Sequence, residues 1–440
     1  MNTPIYNFVN EYRNQDSIRL HMPGHKGKIS LLGVEDLDIT EIDGADELWS
    51  PEGIIYESEA NASSLFGCPT LYSTEGSSLC IRGMLFLAKK WARIHNTAPL
   101  ILAGRNAHRT FVYASAVLEL GVEWLMPKDN DSYQACSINA NDIDSYLSSE
   151  ENAKPTAVYL TSPDYLGNIL DIKSIASICH KHGILLLVDN AHGAYLKFMK
   201  PSMHPIDLGA DLCCDSAHKT LPALTGAAYL HISPNADSFF KENARTSMAM
   251  FGSTSPSYLI LQSLDLCNLY LSENTNNFAL FSEKIKQLKE RLFKAGYSLS
   301  GDEPLKITID AKSYGYNGNE FAEILKNNNI YVEYHDDDYV VMMFSLCNTD
   351  SDIIIVSDVL EKICAKEPLS KTCFNIKSSD QKMSFSSAIM ADSETVPSEN
   401  AIGRILADPV VSTPPCVPLY MCGEEIESVI PTENVRVIKD

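Results

Sequence analysis

Two stretches of sequence decide the fold: ILLLVDNAHG at residues 184–193 and DLCCDSAHKT at residues 211–220. Each is an apolar run followed at once by polar residues, which predicts a buried strand that ends in a polar loop. The sequence DIKSIASICHKHG precedes the first stretch and is typical of an amphipathic helix, with Asp171 as its N-cap and Gly183 at its end. This alternation of helix and strand predicts an α/β fold with a mostly parallel sheet.

The same alternation extends from about residue 60 to about residue 265. The predicted strands of this region are apolar runs at Leu100–Ala103, Val122–Met126, Thr156–Thr161, Ile184–Asp189, Asp211–Asp215 and Ala227–Ile232. Runs of this length without alternating polar residues are typical of strands that are buried on both faces. We therefore predict a large domain over residues 61–273, preceded by an N-terminal segment over residues 1–60.

A second region begins near Asn274, where hydrophobic residues recur at helical spacing until Gly296. The elements predicted after it are strands at Leu305–Ile309, Tyr331–Tyr334 and Val340–Leu346, and a helix around Glu320–Lys326. This mixture predicts a small α+β domain, which together with a Ser- and Pro-rich tail occupies residues 274–440.

Composition and charge narrow the class of protein. The 440 residues contain 57 acidic and 35 basic side chains, a formal net charge of −22, which disfavours binding to nucleic acid or anionic membranes and suits a cationic substrate. No apolar run of about 18 residues and no secretory signal is present, so we expect a soluble protein of the cytoplasm. The twelve cysteines lack zinc-ligand spacing, and we expect no metal site.

Asp189 and Lys219 carry the chemistry. Asp189 ends the first apolar run, at the carboxyl edge where ligands of open α/β sheets bind, and its carboxylate can pair with a protonated pyridine nitrogen. Lys219 follows the second run and can face the same crevice, where an amine of lowered pKa can form a Schiff base. The alternatives are a helix N-cap for Asp189 and a solvated surface position for Lys219.

Several further motifs accompany these two residues almost from end to end of the chain. They are LHMPGHKG (20–27), STEGSS (73–78), GRNAHRT (104–110), DNAHGAY (189–195), SAHKTLPALTGAA (216–228), STSPSYL (253–259), ETVPSENAIGRILA (394–407) and PPCVPLYMCGEEI (414–426). As a set they resemble the small form of the bacterial Orn/Lys/Arg decarboxylase family, which lacks an N-terminal wing domain. The resemblance implies the fold type I of pyridoxal-phosphate enzymes, with pyridoxal 5'-phosphate as the cofactor.

The resemblance also implies roles for single residues. Lys219 is expected to be the Schiff-base lysine, Asp189 the partner of the pyridine nitrogen, and His108 a ring that stacks on the cofactor. A loop histidine of no catalytic role is the alternative for His108. Thr254, chosen among Ser253, Thr254 and Ser255 of STSPSY, is expected to reach the phosphate of a neighbouring subunit, so that the active unit is a homodimer or a larger homo-oligomer.

The cofactor's phosphate is expected at Gly76, Ser77 and Ser78, which precede a helical run, with Ser216 and His218 completing the cup. Amides and hydroxyls at a helix N-terminus form an anion site, although simple helix capping by Ser77 and Ser78 uses the same geometry.

The reaction implied is decarboxylation of arginine, lysine or ornithine to the amine and carbon dioxide, with a role in polyamine biosynthesis. Glu424 and Glu425 are candidates for binding the cationic end of the substrate, or are solvated surface residues. Three positions depart from the family pattern: Asn190 stands where many relatives have an acidic residue, Glu75 precedes the phosphate loop, and Cys416 stands where glycine is common.

Two other functions compete with decarboxylation. An aminotransferase or lyase can use the same cofactor scaffold, but an aminotransferase of this fold normally needs a small-domain arginine, and residues 297–403 contain none. A catalytically silent homologue that serves as an assembly partner is the second alternative, which the presence of Asp189, His108 and Lys219 disfavours.

Overall fold

Short strands and helices alternate along the computed structural model, which describes residues 1–128, 132–371, 381–411 and 415–439. The helices are α1 (Pro4–Arg13), α2 (Ile54–Phe66), α3 (Gly76–Ile94), α4 (Arg109–Val117), α5 (Ala140–Ser148), α6 (Ile172–Lys181), α7 (Ala217–Thr220), α8 (Ser238–Ala249), α9 (Tyr258–Asn274), α10 (Asn277–Lys294), α11 (Gly318–Lys326), α12 (Asp350–Lys362) and α13 (Phe385–Met390). The strands are β1 (Thr70–Ser73), β2 (Leu100–Gly104), β3 (Gly121–Leu125), β4 (Ala157–Thr161), β5 (Leu185–Asp189), β6 (Leu212–Asp215), β7 (Ala228–Ile232), β8 (Leu299–Ser300), β9 (Lys306–Asp310), β10 (Tyr334–His335), β11 (Tyr339–Met343), β12 (Ser393–Pro397), β13 (Val410–Val411), β14 (Pro418–Tyr420) and β15 (Asn434–Ile438).

The chain divides into two units, and the first consists of Met1–Leu87 and Leu187–Leu280. Its strands follow the order β1-β7-β6-β5. β5 and β6 are parallel, and Asp189 lies opposite Cys214, whereas β7 is antiparallel to both β6 and β1. All residues of β6 and β7 are buried, as their apolar sequences predict. The loops after β5 and β6 therefore begin side by side at one edge of these strands.

The second unit consists of Ala88–Leu186 and Phe281–Asp440. Its strands β4, β2 and β3 are neighbours in that order, and both pairs are parallel. α6 begins as predicted, since the Asp171 side chain accepts a hydrogen bond from the Ser174 amide, and Gly183 follows it with a φ of +68°. This left-handed conformation suits glycine and ends the helix.

A separate antiparallel sheet in the second unit has the order β10-β11-β9-β8 and accompanies α10, α11 and α12. α10 buries the apolar residues Ile285, Leu288 and Leu292, which recur at helical spacing. The predicted strand at Tyr331–Tyr334 is instead β10 at Tyr334–His335, because Tyr331 is exposed and does not join the sheet.

The predicted fold class is confirmed: parallel strands alternate with helices, and a small α+β part follows them. Every strand predicted between Leu100 and Ile232 lies within one residue of its expected bounds. The short polar strand β1 was not predicted. The domain bounds at residues 61–273 and 274–440 stay predictions. Among the described residues, no helix has the length and apolar composition that crossing a membrane requires.

Candidate active site

Asp189 and Lys219 follow neighbouring parallel strands in the first unit. Asp189 is the last residue of β5 and is 2% exposed. Lys219 lies in α7, the single helical turn that begins two residues after β6. Because Asp189 pairs with Cys214, five residues before Lys219, the strand register brings the two loops to the same edge. Lys219 itself is exposed, so its amine is accessible to a reacting molecule.

His192 is the residue that sequence reasoning missed. Its Nε2 lies 3.1 Å from Lys219 Nζ, within hydrogen-bond distance, and its side chain is buried. The signal was present in DNAHG, since His192 follows Asp189 by three residues on the same loop. A histidine in contact with a reactive amine can exchange a proton with it.

Two neighbouring groups contact the carboxylate of Asp189. The Ala191 amide donates a hydrogen bond to Asp189 Oδ1 at 3.2 Å, and Cys214 Sγ lies 3.6 Å from the same oxygen. Burial and the nearby Asp189 carboxylate raise the pKa of the Cys214 thiol, which therefore stays a neutral donor. These two contacts fix the position of the Asp189 carboxylate at the end of β5.

A hydroxyl pair lies at the N-terminus of α3. Ser216 Oγ donates to Ser77 Oγ at 2.8 Å, so the structure brings together these two predicted phosphate ligands. The Gly76 amide is already bonded to the Gly226 carbonyl at 2.8 Å, which ties the start of α3 to the loop after Lys219. The first amides of α3 after Gly76, including those of Ser77 and Ser78, are the donors that a helix offers to an anion.

Gly226 is required for this connection. Its φ is +100°, and a Cβ there would lie 3.0 Å from the Thr74 carbonyl oxygen. His218, predicted to complete the phosphate cup, has its Nδ1 2.9 Å from the Ala227 carbonyl. The hydrogen of that nitrogen therefore lies on the Ala227 side, and a phosphate role for His218 stays a prediction.

Thr254 lies in the exposed segment between α8 and α9. The Ser253 amide donates to Glu75 Oε1 at 2.7 Å, and Trp49 Nε1 donates to the Ser253 carbonyl at 2.7 Å. Glu75, which departs from the family pattern, thus connects the segment that bears Thr254 to the residues that precede α3. The reach of Thr254 to a neighbouring subunit stays a prediction.

His108 lies in the second unit, at the N-cap of α4. Its Nδ1 accepts a hydrogen bond from the Thr110 amide at 3.1 Å, and its side chain is half-buried. Two backbone contacts support this loop: the Arg105 amide donates to the Leu125 carbonyl at 3.0 Å, and the Arg109 amide donates to the Cys416 carbonyl at 2.8 Å. Stacking of His108 on a cofactor stays a prediction.

The C-terminal motif also holds the His108 loop through a buried guanidinium. Arg105 donates to the carbonyls of Pro418 at 2.8 Å and Leu419 at 3.1 Å, and its Nη2 lies 3.8 Å from Glu424 Oε1. Burial lowers the pKa of Arg105, which the Glu424 carboxylate opposes. Glu425, by contrast, is about 40% exposed and lies 3.5 Å from Lys382.

Cys416 has a φ of +60°, a conformation that favours glycine. The Cys416 carbonyl accepts the Arg109 hydrogen bond in this conformation. Pro414, the first residue of the C-terminal motif, lies outside the described residues.

Three buried side chains of the first unit could together hold a metal ion: His204, Asp215 and His231. His204 Nε2 and His231 Nε2 lie 3.1 and 3.0 Å from the same oxygen, Asp215 Oδ2. Sequence spacing did not predict the cluster, because its members lie in a loop and in two different strands.

The comparisons with known proteins agree with this geometry. The model of the family described as Orn/Lys/Arg decarboxylase, major domain, matches residues 3–295, which is more than half of the chain. The chain belongs to the Orn/Lys/Arg decarboxylase family. The predicted resemblance is thereby confirmed, and so is the prediction of an amino-acid decarboxylase, a carboxy-lyase.

Relatives in the family cover nearly the whole chain. An arginine decarboxylase of Bacillus subtilis is 26% identical over 99% of this chain and 93% of the relative, and an uncharacterised protein of the same organism, YaaO, is 28% identical over 97% and 92%. A lysine decarboxylase from Francisella novicida superposes with a TM-score of 0.79 at 16% identity, over 99% of this chain and 81% of that one. At this identity the superposition establishes the fold.

Proposed function

We propose that this chain is a pyridoxal-phosphate-dependent decarboxylase of a basic amino acid, with arginine as the first substrate to test. The observation that carries the proposal is the 3.1 Å contact between Lys219 Nζ and His192 Nε2, on the loops that follow β6 and β5. The family match supports the reaction, and the arginine decarboxylases of Bacillus subtilis and Halalkalibacterium halodurans, each 26% identical, support the substrate.

The donor set fits this cofactor. Lys219 Nζ would hold it covalently, and Ser77, Ser216 and the first amides of α3 would bind its phosphate. When bound, pyridoxal phosphate supplies an electron sink for the electron pair left on the substrate's α-carbon as carbon dioxide departs. Asp189 would hold a proton on the pyridine nitrogen, and His108 would lie against the ring face.

Lys219 and His192 would manage the proton transfers. His192 Nε2 can accept a proton from Lys219 Nζ, which leaves the neutral amine that nucleophilic attack requires. His192 would then return the proton to Lys219 Nζ, and the resulting ammonium would donate a proton to the α-carbon in place of the departed carbon dioxide.

Glu424 and Glu425 are the proposed partners of the substrate's cationic end. Glu424 is buried against Arg105, whereas Glu425 is partly exposed. Glu425→Gln should therefore raise KM for arginine by roughly ten- to a hundredfold, the loss of one charge-assisted hydrogen bond. Glu424→Gln is the matched variant: it should lower stability as well, because its carboxylate balances a buried guanidinium.

The active unit is proposed to be at least a homodimer in which Thr254 reaches the neighbour's phosphate. Mixing Lys219→Ala protein with Thr254→Val protein should then restore part of the activity through hybrid sites. A monodisperse monomer with full activity would contradict this arrangement. The cytoplasmic location and the role in polyamine biosynthesis are proposed on the same family grounds.

The decisive experiment incubates purified holoenzyme with arginine, lysine, ornithine, leucine and glutamate at equal concentration. Carbon dioxide and the amine product are both measured, because a transaminase would consume the amino acid without releasing carbon dioxide. Equimolar carbon dioxide and agmatine from arginine is the expected result. Preference for a neutral or acidic amino acid, or turnover without carbon dioxide, would overturn the proposal.

A further inference from the structure

Asn190, next to the proposed cofactor ligand Asp189, is bound to a buried carboxylate. Its Nδ2 donates to Asp215 Oδ1 at 2.6 Å, and both side chains are fully buried. An acidic side chain at residue 190 of this chain would place a second negative charge against Asp215, which is costly in a buried site.

The other oxygen of Asp215 is shared by two imidazoles. His204 and His231 both direct Nε2 at Asp215 Oδ2, and both rings are fully buried. The Ile206 amide donates to His204 Nδ1 at 3.4 Å, so Nε2 is the ring nitrogen that donates to Asp215. Hydrogen bonds therefore satisfy both oxygens of the carboxylate.

The charge of this cluster follows from its surroundings. Burial opposes ionisation of Asp215, but His204 and His231 outweigh it and hold the pKa of Asp215 well below its usual range. Burial lowers the pKa of His231 despite the neighbouring carboxylate. Asp215 is thus an anion surrounded by hydrogen-bond donors, and the side-chain amide of Asn190 is one of those donors.

The loop that bears Asp189 and His192 turns around Asn190. The backbone N–H of Asn190 donates to the Cys214 carbonyl at 3.0 Å, and the backbone N–H of Gly193 donates to the backbone carbonyl of Asn190 at 2.7 Å. A Cβ on Gly193 would lie 2.0 Å from Asn190 Oδ1, so the loop closes tightly on this side chain. His192, which contacts Lys219, lies within that turn.

We propose that Asp215, supported by His204 and His231, is a positioning residue that holds the loop of Asp189 and His192 through Asn190. The amide at residue 190 and the carboxylate at residue 215 form a matched pair, and exchanging their charges should preserve it. The inference rests on the proposed function for its catalytic consequence, whereas the hydrogen-bonded pair itself can be tested in the chain without cofactor.

The test compares Asn190→Asp, Asp215→Asn and the double variant that exchanges the two groups. Amide hydrogen exchange over residues 185–197 is measured on the chain without cofactor. Each single variant should exchange at least about tenfold faster, and the double variant should return close to the wild type. Asp16→Asn, at an exposed aspartate of the same unit, is the control and should change neither exchange nor turnover.

Turnover of the holoenzyme is measured on the same proteins. We expect each single variant to lower kcat by about tenfold or more with a smaller change in KM, and the double variant to recover most of it. Recovery of exchange protection without recovery of kcat would show that the pair is merely structural and would overturn the positioning role. Failure of the double variant to recover protection would overturn the pair itself.

Wild-type protein that decarboxylates no amino acid would refute the proposed function, and the exchange measurement would still decide the pairing. The last measurement is the metal content of the purified protein. One equivalent of metal that is retained by the wild type and lost in His204→Gln would show that the cluster is a metal site, contrary to the hydrogen-bonded arrangement.

Discussion

Two regions of the molecule differ in how far apart in sequence their contacting residues lie. One consists of the loops that follow β5 and β6 in the first unit, and the other is the loop that follows β2 in the second unit. Lys219 contacts His192, 27 residues earlier, and both follow strands whose register is set by direct pairing. The loop that bears His108 depends on Arg105, which bonds to Pro418 across 313 residues. The first arrangement is local in sequence, and the second forms only when the C-terminal motif packs against the loop after β2.

The same two regions also differ in how they keep a buried charge. Asp215 is surrounded by three hydrogen-bond donors, namely His204, His231 and Asn190. Arg105 relies instead on two carbonyls and one carboxylate, that of Glu424. Removing one partner should therefore weaken the first region through geometry and the second through an uncompensated charge.

Lys219→Ala should have the largest effect, because the local region holds the proposed reactive amine. We expect kcat/KM for the preferred substrate to fall by about 10⁴-fold or more. After borohydride reduction of the holoenzyme, peptide mass analysis should place the cofactor adduct on Lys219 and find none in the variant. Lys241→Ala, at an exposed lysine of the same unit, is the control. An adduct on another lysine would contradict the assignment.

Asp189→Asn should come next. We expect the variant to bind the cofactor but to lose about 10³-fold in kcat, because a neutral amide cannot hold the pyridine nitrogen protonated. Cofactor absorbance and turnover, measured on one sample, separate binding from reaction. Turnover equal to that of the wild type would mean that the carboxylate only shapes the end of β5.

Arg105→Met tests the long-range region. It leaves the buried Glu424 carboxylate without this cation and should lower the free energy of unfolding by about 3 kcal/mol. Arg105→Met with Glu424→Gln should cost less than the sum of the two single variants. Urea unfolding measures all three. Arg291→Met, in an exposed pair with Glu361, should change stability by about 1 kcal/mol or less.

Asp164, also in the second unit, should make stability depend on pH, and this is the smallest of the expected effects. Its sign is opposite to that of the pH dependence that Asp215 causes. Burial raises the pKa of Asp164 to about 6, although Asn168 donates two hydrogen bonds to it. Between pH 4 and 6 the folded chain then holds a proton that the unfolded chain has lost, so stability falls as pH rises.

Asp164→Asn removes this dependence of stability on pH, since the side-chain amide of Asn168 can rotate to present its oxygen to the new amide. Relative to the wild type, the variant should gain about 2 kcal/mol of unfolding free energy between pH 4 and 7. Asp302→Asn, at an exposed aspartate that accepts the Ile169 amide, is the control. A pH profile of the Asp164 variant parallel to the wild type would show that Asp164 is ionised throughout.

Much of the local region could be predicted from the sequence. Strands β5 and β6 are apolar runs, and Asp189 and Lys219 follow them, so their meeting at one edge follows from parallel pairing. His192 belongs to the DNAHG motif, but the sequence did not indicate that it contacts Lys219. Glu424 was predicted as a candidate for the substrate or as a solvated surface residue, because nothing near it in sequence indicates Arg105.

The sequence by itself determined the α/β alternation, the loops in which Asp189, Lys219 and His108 lie, and the family. Only the tertiary structure decided which groups share a buried charge: His204 and His231 with Asp215, and Arg105 with Glu424. The physical reason is the distance along the chain over which each interaction acts. Apolar periodicity and capping act over a few residues and can be read along the chain, whereas a buried ion takes its partners from whichever distant segments close around it.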